Sequence, residues 1–306
     1  NSAPVIGSYT ASQTIPKSTP FALTASVTDV DGNALTYCWE QLDVQVSTQP
    51  PVSTATGGPN FRSFNPSAQP TRYFPRLAQL TGTPPATDWE VLSSVARTMN
   101  FRLVVRDNAP GGGCNAHQDI TLTISGTAGP FVVTAPNTNF SWAAGSTQTV
   151  TWSVAGTNAS PVNCANVDIL LSTDGGLTYP TVLATAVPNN GSASVIIPDP
   201  PSTTARVMIR GNGKAFFDIS DANFTITSTT CTAPVINAPT LTQPTCAVQS
   251  GTIVVNPSAS GREYSIDNGA NWQSSNTFAG LAPGNYNIRV RQTGSPACYT
   301  VYAANP

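Results

Sequence analysis

One turn of the sequence carries oxygen-bearing side chains that could bind a metal ion, Asp29-Val30-Asp31-Gly32-Asn33. A turn of this kind places Asp29, Asp31 and Asn33 on one side, and carboxylate and amide oxygens are the ligands that Ca²⁺ prefers. Asp107 follows a later predicted strand and could complete the site. No Glu stands where an EF-hand loop needs one, and an Asx-turn in a hairpin explains the same residues. The sequence therefore predicts either one structural Ca²⁺, with no other cofactor, or a turn without metal.

Residues that could carry out catalysis are scarce. The chain has one histidine, His117, and three glutamates, Glu40, Glu90 and Glu263. A hydrolase needs a nucleophile with a base, a metal or paired acids. The sequence contains no G-x-S-x-G nucleophile turn and no phosphate-binding glycine loop. We therefore expect that the chain is not an enzyme and that residues 1–306 have no peptidase activity.

A long segment, residues 43–97, separates two predicted strands and is rich in aromatic residues and arginine. Loops of this length are uncommon and often functional, and Arg beside aromatic rings is typical of binding surfaces. The candidate binding-surface residues are Phe61, Arg62, Arg72, Tyr73, Phe74, Arg76 and Trp89. The alternative is that these rings pack inward and anchor the segment, with the arginine stems covering them.

The cysteine content predicts the redox compartment of the protein, whereas the disulfide connectivity is less well determined by the sequence. Six cysteines in a chain with few charges fit an oxidising, extracellular environment. No pair has C-x-x-C spacing, which argues against a zinc site. Six cysteines allow fifteen connectivities. We favour Cys246–Cys298, which bracket the last predicted strands, and Cys38–Cys114 in the first part of the chain. Cys164 and Cys231 remain, as a pair or as free thiols.

The elements that must position these residues are β-strands. Short alternating runs such as Phe101, Leu103 and Val105 each predict one buried strand face, and Trp39 is the expected centre of the first core. Linker-like sequences follow at Gly126–Pro130 and at Ser228–Thr230. The predicted fold is all-β, with three tandem immunoglobulin-like β-sandwich domains. They are 1–126, an immunoglobulin- or cadherin-like sandwich with the 43–97 insertion, then 127–228, and finally 229–306, a small sandwich of the adhesin-repeat type.

Overall composition excludes several classes of protein. Charged residues make up 9 % of the chain and the net charge is −2, so we expect no nucleic acid partner. No run approaches about 18 apolar residues, so we expect no membrane insertion. Hydrophobic residues make up 40 % of the chain, which is incompatible with disorder at this low net charge.

A short hairpin motif occurs twice and resembles the Asp-box. Ser172–Tyr179 has the pattern S-x-D-x-G-x-T-aromatic, and Ser265–Trp272 has S-x-D-x-G-x-x-aromatic. In such a hairpin the Asp accepts backbone N–H groups and Gly supplies positive φ. Asp-boxes occur on many sugar-processing proteins, but a turn that satisfies only its own hydrogen bonds is the simpler interpretation.

Several segments resemble the region that follows the catalytic domain in secreted, reprolysin-like zinc metalloproteases of Bacteroidetes-type bacteria. This resemblance covers about residues 1–227. It rests on Asp29–Gln41, Phe61–Phe64, Arg72–Pro75, Trp89–Leu92, Val95–Arg102, Thr127–Phe131, Gln148–Trp152 and Phe216–Ser220. The H-E-x-x-H helix of that family is absent from this sequence, so no catalytic residue carries over.

The last part of the chain resembles a different group, the repeats of large Bacteroidetes surface adhesins. The segments are Thr242–Cys246, Tyr264–Gly269 and Gly280–Tyr286. Proteins of both kinds commonly end in a type IX secretion sorting domain. Because the sequence starts Asn1-Ser2-Ala3-Pro4, we expect it to be part of a longer precursor. These resemblances imply a secreted or cell-surface protein.

Two functions are consistent with these observations. The first is a non-catalytic extracellular array of β-sandwiches, an accessory, adhesive or spacer region that contacts a protein or a glycan. The second is a structural subunit of an extracellular filament or adhesive layer, in which copies of the chain join head to tail. Two lysines give strand edges little protection against such pairing. In the filament, the segment Asn1–Tyr9 is expected to be free and to pair with another copy.

Overall fold

The computed structural model describes residues 1–83, 88–199, 201–228, 233–293, 295–304 and 306. In these residues the chain is nearly all strand, which confirms the all-β prediction, and the only helix among them is a single turn. Two compact units are present, an N-terminal unit, Asn1–Ser228, and a C-terminal unit, Thr229–Pro306. Thr229 and Thr230 of the second predicted linker, and Cys231, lie outside the described residues.

The first sandwich comprises residues 1–126. Its strands and its one-turn helix are β1 (Val5–Tyr9), β2 (Gln13–Pro16), β3 (Phe21–Leu23), β4 (Ala25–Thr28), β5 (Thr36–Gln41), β6 (Arg72–Phe74), α1 (Leu77–Leu80), β7 (Arg97–Arg106) and β8 (Asn115–Ser125). One sheet has the order β2-β8-β7-β5, and the pairs β1-β4 and β3-β6 complete the fold. As expected, Phe101, Leu103 and Val105 of β7 are fully buried, and so is Trp39 of β5. Phe21 and Phe74 contact Phe101 across this core.

The second sandwich comprises residues 127–228. Its strands are β9 (Val132–Ala135), β10 (Ser141–Ala143), β11 (Thr147–Ser153), β12 (Asn166–Ser172), β13 (Thr181–Pro188), β14 (Ser192–Ile196), β15 (Ser202–Gly211), β16 (Phe217–Ile219) and β17 (Phe224–Thr227). The sheets have the orders β14-β11-β9 and β10-β17-β15-β12-β13, with β16 paired to β15. Val150 and Trp152 of β11 lie in the core, and the Trp152 indole donates to Asn189 Oδ1 at 2.8 Å.

The two sandwiches share one hydrophobic core. Phe21 of β3 and Phe216, which precedes β16, form an antiparallel bridge, and Ala22 N donates to Ala215 O at 2.8 Å. The predicted linker Gly126–Pro130 is part of this junction, because Lys17 N donates to Ala128 O at 3.0 Å and Ala128 is buried. Residues 1–228 therefore behave as one packed body.

The C-terminal unit is a smaller sandwich. Its strands are β18 (Asn237–Thr242), β19 (Gly251–Asn256), β20 (Arg262–Ser265), β21 (Thr277–Leu281), β22 (Arg289–Gln292) and β23 (Ser295–Val301). They form two sheets, β18-β19-β21 and β20-β22-β23. Ile253, Val255, Tyr264, Ile288 and Val290 form its core.

The predicted free segment Asn1–Tyr9 is paired within the chain. Val5–Tyr9 is an antiparallel partner of Ala25–Thr28, and Asn1 donates to the Asp107 carboxylate at 2.7 Å. The expectation that this segment is free was wrong, because β4 offers it an edge inside its own sandwich. A filament built through this segment would require strand exchange between copies.

Both favoured disulfides were wrong. Cys38, Cys114 and Cys246 are free thiols, and so is Cys164. Cys38 lies inside the first sandwich, where its Sγ donates to Phe64 O at 3.4 Å, whereas Cys114 lies beside Asn1. Cys246 occupies an exposed turn, while Cys298 of β23 is buried and disulfide-bonded. Their spacing along the chain did not reveal that these sulfurs occupy different environments.

The shared core leads to a prediction for Phe216→Ala. Phe216 is fully buried and its ring meets Phe131 edge to face at 5.1 Å. Truncation should lower the free energy of unfolding by about 3–5 kcal/mol, as for other buried aromatic residues. Because the core is shared, the calorimetric transition of residues 1–228 should move as one peak. Val182→Ala, at a half-exposed position on β13, is the control. Two separate transitions, of which only one moves, would contradict the shared core.

Candidate binding cleft

A cleft opens within the N-terminal unit, between the long segment and a hairpin of the second sandwich. Its volume is about 870 Å³. Strand β5 and residues 64–77 of the long segment line one side, and Leu177, Thr178 and Tyr179, from the turn between β12 and β13, line the other. Aromatic side chains line it from both sides, namely Tyr37, Trp39, Phe64 and Tyr73 on one side and Tyr179 on the other. Pockets of this size and aromatic character are typical of small-molecule sites.

Phe64 organises three arginines around its ring. The guanidinium carbons of Arg76, Arg72 and Arg62 lie 4.3, 4.7 and 5.7 Å from the ring centroid. Cation–π contacts at these distances are attractive, and more so where the charge is partly desolvated. The Phe64 ring thereby keeps these three positively charged side chains beside the cleft.

Behind this cluster lies Glu90, whose side chain is completely buried. Its carboxylate pairs with Arg72 Nη2 at 3.4 Å and with Arg76 Nε at 3.2 Å. Burial lowers the pKa of Arg72, and the charge of Glu90 opposes that shift. Burying a carboxylate without a positively charged partner costs free energy. The folded chain therefore keeps both arginines beside Glu90, and their positions are fixed.

Arg72 also joins separate parts of the first sandwich. Its Nη1 donates to Trp39 O at 2.6 Å and its Nη2 to Arg62 O at 2.7 Å. Its Nε is buried and has no hydrogen-bond partner among the described residues. Arg72 therefore serves mainly to hold the cleft wall together.

Helix α1 attaches the long segment to the second sandwich. Leu77 of α1 packs in a small apolar cluster with Leu170, Met208 and Phe217, next to the cleft. Tyr73 contributes to the same cluster, and its ring meets Phe217 edge to face at 5.4 Å. Because this cluster spans both sandwiches, it fixes the width of the cleft.

The opposite wall is the first Asp-box-like hairpin. Asp174 Oδ1 accepts Leu177 N and Thr178 N, both at 3.0 Å, and Ser172 Oγ donates to the same oxygen at 2.6 Å. Gly175 and Gly176 have φ of 81° and 91°, as the motif requires. Although partial burial opposes ionisation, these hydrogen bonds lower the pKa of Asp174 to about 2. The hairpin is thus a rigid turn that satisfies its own hydrogen bonds, as the simpler interpretation held.

The second hairpin, in the C-terminal unit, has the same construction. Asp267 Oδ1 accepts Asn271 N at 2.9 Å and Ser265 Oγ at 2.7 Å. Gly269 has φ of 91°, and the Trp272 indole donates to Gly269 O at 2.8 Å.

The candidate surface residues divide into three groups. Arg72, Tyr73 and Arg76 line the cleft, and Arg62 lies at its edge over Phe64. Phe61 and Phe74 are buried and pack against Phe21, so they anchor the segment and form no surface. Trp89 is 39 % exposed and lies outside the cleft lining.

Four residues of the site were not identified from the sequence, Tyr37, Phe64, Glu90 and Tyr179. Phe64 and Glu90 lie within the long segment, and a glutamate is unusual in a chain with only three. That rarity was the one usable signal, since an isolated acid among arginines suggests a counterion. Tyr179 reaches the cleft because the two sandwiches pack together, whereas Tyr37 lies on β5, where it forms a bridge with Ser67 of the long segment.

The candidate calcium ligands gather around the first two residues of the chain. Asp29 Oδ1 accepts Asp31 N at 2.9 Å and Asn33 N at 3.2 Å, as in an Asx-turn. Asn1 bridges Asn33 and Asp107, and Ser2 N donates to Asp31 Oδ2 at 2.6 Å. Asp29 Oδ2 is buried without a hydrogen-bond partner among the described residues.

The described residues contain neither a metal-binding cluster nor a membrane-spanning helix. These parts of the chain hold no group of three or more His, Cys, Asp or Glu side chains arranged as metal ligands. None of their helices combines the length and the apolar character that crossing a membrane requires.

No protein-family model and no curated protein sequence matches this chain. Several solved structures are similar to it. The Bacteroides ovatus mixed-linkage glucan utilization locus protein SGBP-B, in complex with a mixed-linkage heptasaccharide, is 14 % identical, and the match covers 95 % of this chain at a TM-score of 0.20. This chain spans 65 % of that protein's length.

Two further structures are built of immunoglobulin-like or fibronectin-type domains. The N-terminal Ig1-2 module of the Drosophila receptor protein tyrosine phosphatase DLAR is 10 % identical, with a TM-score of 0.37, and the match covers 74 % of this chain and 99 % of the module. The FN1-FN3 domains of chicken CNTN1 are 13 % identical, with a TM-score of 0.23, and the match covers 100 % of this chain and 99 % of theirs. These likenesses concern the β-sandwich fold alone.

The Asp174 hairpin predicts a defined pH dependence. The pKa of Asp174 in the folded chain, about 2, lies below the usual value of 3.8, so its ionised form stabilises the fold above pH about 4. That contribution is lost as the pH falls from about 4 to about 2. Asp174→Asn should cost about 1 kcal/mol at pH 7 and clearly less at pH 3, by denaturant unfolding. Asp199→Asn, at an exposed loop position, is the control, with an expected change below about 0.5 kcal/mol. An equal effect of Asp174→Asn at both pH values would contradict this assignment.

The calcium site stays a prediction, and calorimetry can test it. Extracellular Ca²⁺ modules have dissociation constants of about 0.1–1 mM. At 10 mM Ca²⁺ the N-terminal unit should gain about 1.4–2.7 kcal/mol relative to chelator. Asp29→Asn, which removes the charge of the unpartnered oxygen, should abolish the gain. A melting temperature that is the same with Ca²⁺ and with chelator would identify the motif as a plain turn.

Proposed function

We propose that the chain is a non-catalytic, extracellular binding module and that its N-terminal unit holds a carbohydrate in the cleft. The observation that carries this proposal is the composition of the cleft. Five aromatic side chains share it with the hydroxyl and amide side chains of Ser67, Thr71, Thr178, Asn65 and Gln69. A sugar presents C–H faces, which pack on aromatic rings, and hydroxyl groups, which need hydrogen-bond partners.

The rigidity of the cleft supports the same function. Its walls belong to two sandwiches that share a core, and the Asp174 hairpin is fixed by its own hydrogen bonds. A preformed site binds its ligand without first ordering a loop, and so it avoids part of the entropic cost of association.

The wider role we propose is that of an accessory and adhesive region in a secreted, metalloprotease-like protein. The resemblance of residues 1–227 to the segments after the catalytic domain supports this context, and so does the adhesin-like C-terminal unit. In such a protein the cleft would keep the enzyme close to a glycan-bearing surface. Self-assembly into a filament remains the alternative, and light scattering on a concentrated sample distinguishes the two.

Binding to an array of extracellular glycans, followed by calorimetry on the glycan that binds, tests the proposal. Phe64→Ala removes a partly exposed ring from the cleft and should weaken binding at least about tenfold. Tyr9→Ala is the matched control, because Tyr9 is an aromatic residue of β1 that is 39 % exposed and lies outside the cleft. Absence of binding to any glycan, or equal losses in the two variants, would refute a carbohydrate site in this cleft.

A further inference from the structure

The charges around the cleft indicate which carbohydrates it selects. We infer that the cleft recognises saccharides that carry a carboxylate, such as uronic acids, and that Arg76 is the residue that binds this group. The inference rests on the proposed carbohydrate-binding function and adds the chemical class of the ligand.

The first argument is the balance of charge. Arg72 and Arg76 both line the cleft, whereas none of the described residues that line it is an aspartate or a glutamate. Glu90 lies behind the wall and neutralises one of these two positive charges. Asp174 lies behind the opposite wall, where its carboxylate accepts hydrogen bonds from Ser172, Leu177 and Thr178. The whole chain has a net charge of −2, so the positive charge of the cleft is a local property. An anionic ligand is attracted to such a site.

The second argument distinguishes the two arginines. The Arg72 side chain is only 12 % exposed and is committed to Trp39 O, Arg62 O and Glu90. The Arg76 side chain is 38 % exposed and gives only its Nε to Glu90. Among the described residues, its two terminal nitrogens have no acceptor. A guanidinium presents such nitrogens as a fork that fits a carboxylate in a bidentate manner.

The third argument is orientation. Glu90 accepts the Nε and the backbone N of Arg76, at 3.2 and 3.4 Å, and Phe64 covers one face of the guanidinium at 4.3 Å. The side chain is therefore held before a ligand arrives, which lowers the entropic cost of the contact. The neighbouring amides of Asn65 and Gln69 are exposed and form no side-chain hydrogen bond with a described residue, so they are available for sugar hydroxyls. This combination favours an acidic saccharide over an acidic peptide.

The test compares polysaccharides that differ only in their acid groups. The probes are polygalacturonate, alginate and hyaluronan, each beside its carboxyl-reduced form, in which –COO⁻ has become –CH₂OH. Binding to the full chain is measured by biolayer interferometry at low and high salt. At least one acid form should bind at least about tenfold more tightly than its reduced partner, and this preference should weaken as salt screens the charges.

Two variants locate the effect. Arg76→Gln should remove the preference, so that the acid form binds no more tightly than its reduced partner. Gln69→Glu adds a negative charge at the exposed rim without touching the Glu90 pairs, and should weaken binding of the acid form several-fold more than binding of the reduced form. Arg102→Gln is the control, because Arg102 pairs with Asp119 on the exposed face of β7 and β8, outside the cleft. Melting curves confirm that each variant is folded.

Each remaining outcome has a definite meaning. Equal binding of acid and reduced forms would overturn this inference and leave the proposed carbohydrate function intact. Binding of poly-glutamate as tight as that of the best acidic saccharide would assign the cleft to an acidic peptide instead. If no member of any pair binds, the inference falls, and the glycan array then decides whether the proposed function falls with it.

Discussion

The contact between Phe21 and Phe216 determines most of what the N-terminal unit can do. Each ring belongs to a different sandwich, yet both lie in one core and their backbones form a bridge. Two sandwiches joined by a flexible linker would vary in their relative orientation, since interfaces between domains usually permit motion. Here the junction is packed like a domain interior. The cleft that the two sandwiches form is therefore a fixed feature of the fold.

The long segment depends on this junction and in turn reinforces it. Phe61 and Phe74 fill the first core, whereas α1, carrying Leu77, packs on the second sandwich. The polar part of the segment cannot be anchored by apolar packing, because its backbone and its arginines need hydrogen-bond or ion-pair partners. For Arg72, Glu90 supplies the ion pair, and Trp39 O and Arg62 O accept hydrogen bonds. Anchoring and ligand binding are consequently not alternatives, since different residues of the same segment serve each purpose.

The sequence predicted those features that depend on local periodicity or local turn chemistry. The buried face of β7 followed from alternation, and the two Asp-box-like hairpins followed from the spacing of Ser, Asp and Gly. The direction in which Phe61, Phe74 and Arg76 point depends on contacts with residues far away in the chain. For the same reason the cysteine pairing was wrong: the environments of Cys38 and Cys114 depend on tertiary packing, which their separation in sequence does not encode.

The arrangement around Glu90 also bears on why the arginines are present. A buried ion pair seldom adds net stability, because desolvation of the charges offsets much of their attraction, and apolar residues of similar size often serve as well. Leu77 shows that apolar anchoring is available a few residues along the same segment. Stability alone therefore gives little reason for a buried carboxylate with two arginines. What this cluster provides, and an apolar one cannot, is a partly exposed guanidinium whose position is fixed at the wall of the cleft. That property serves recognition of an anionic ligand more directly than it serves folding.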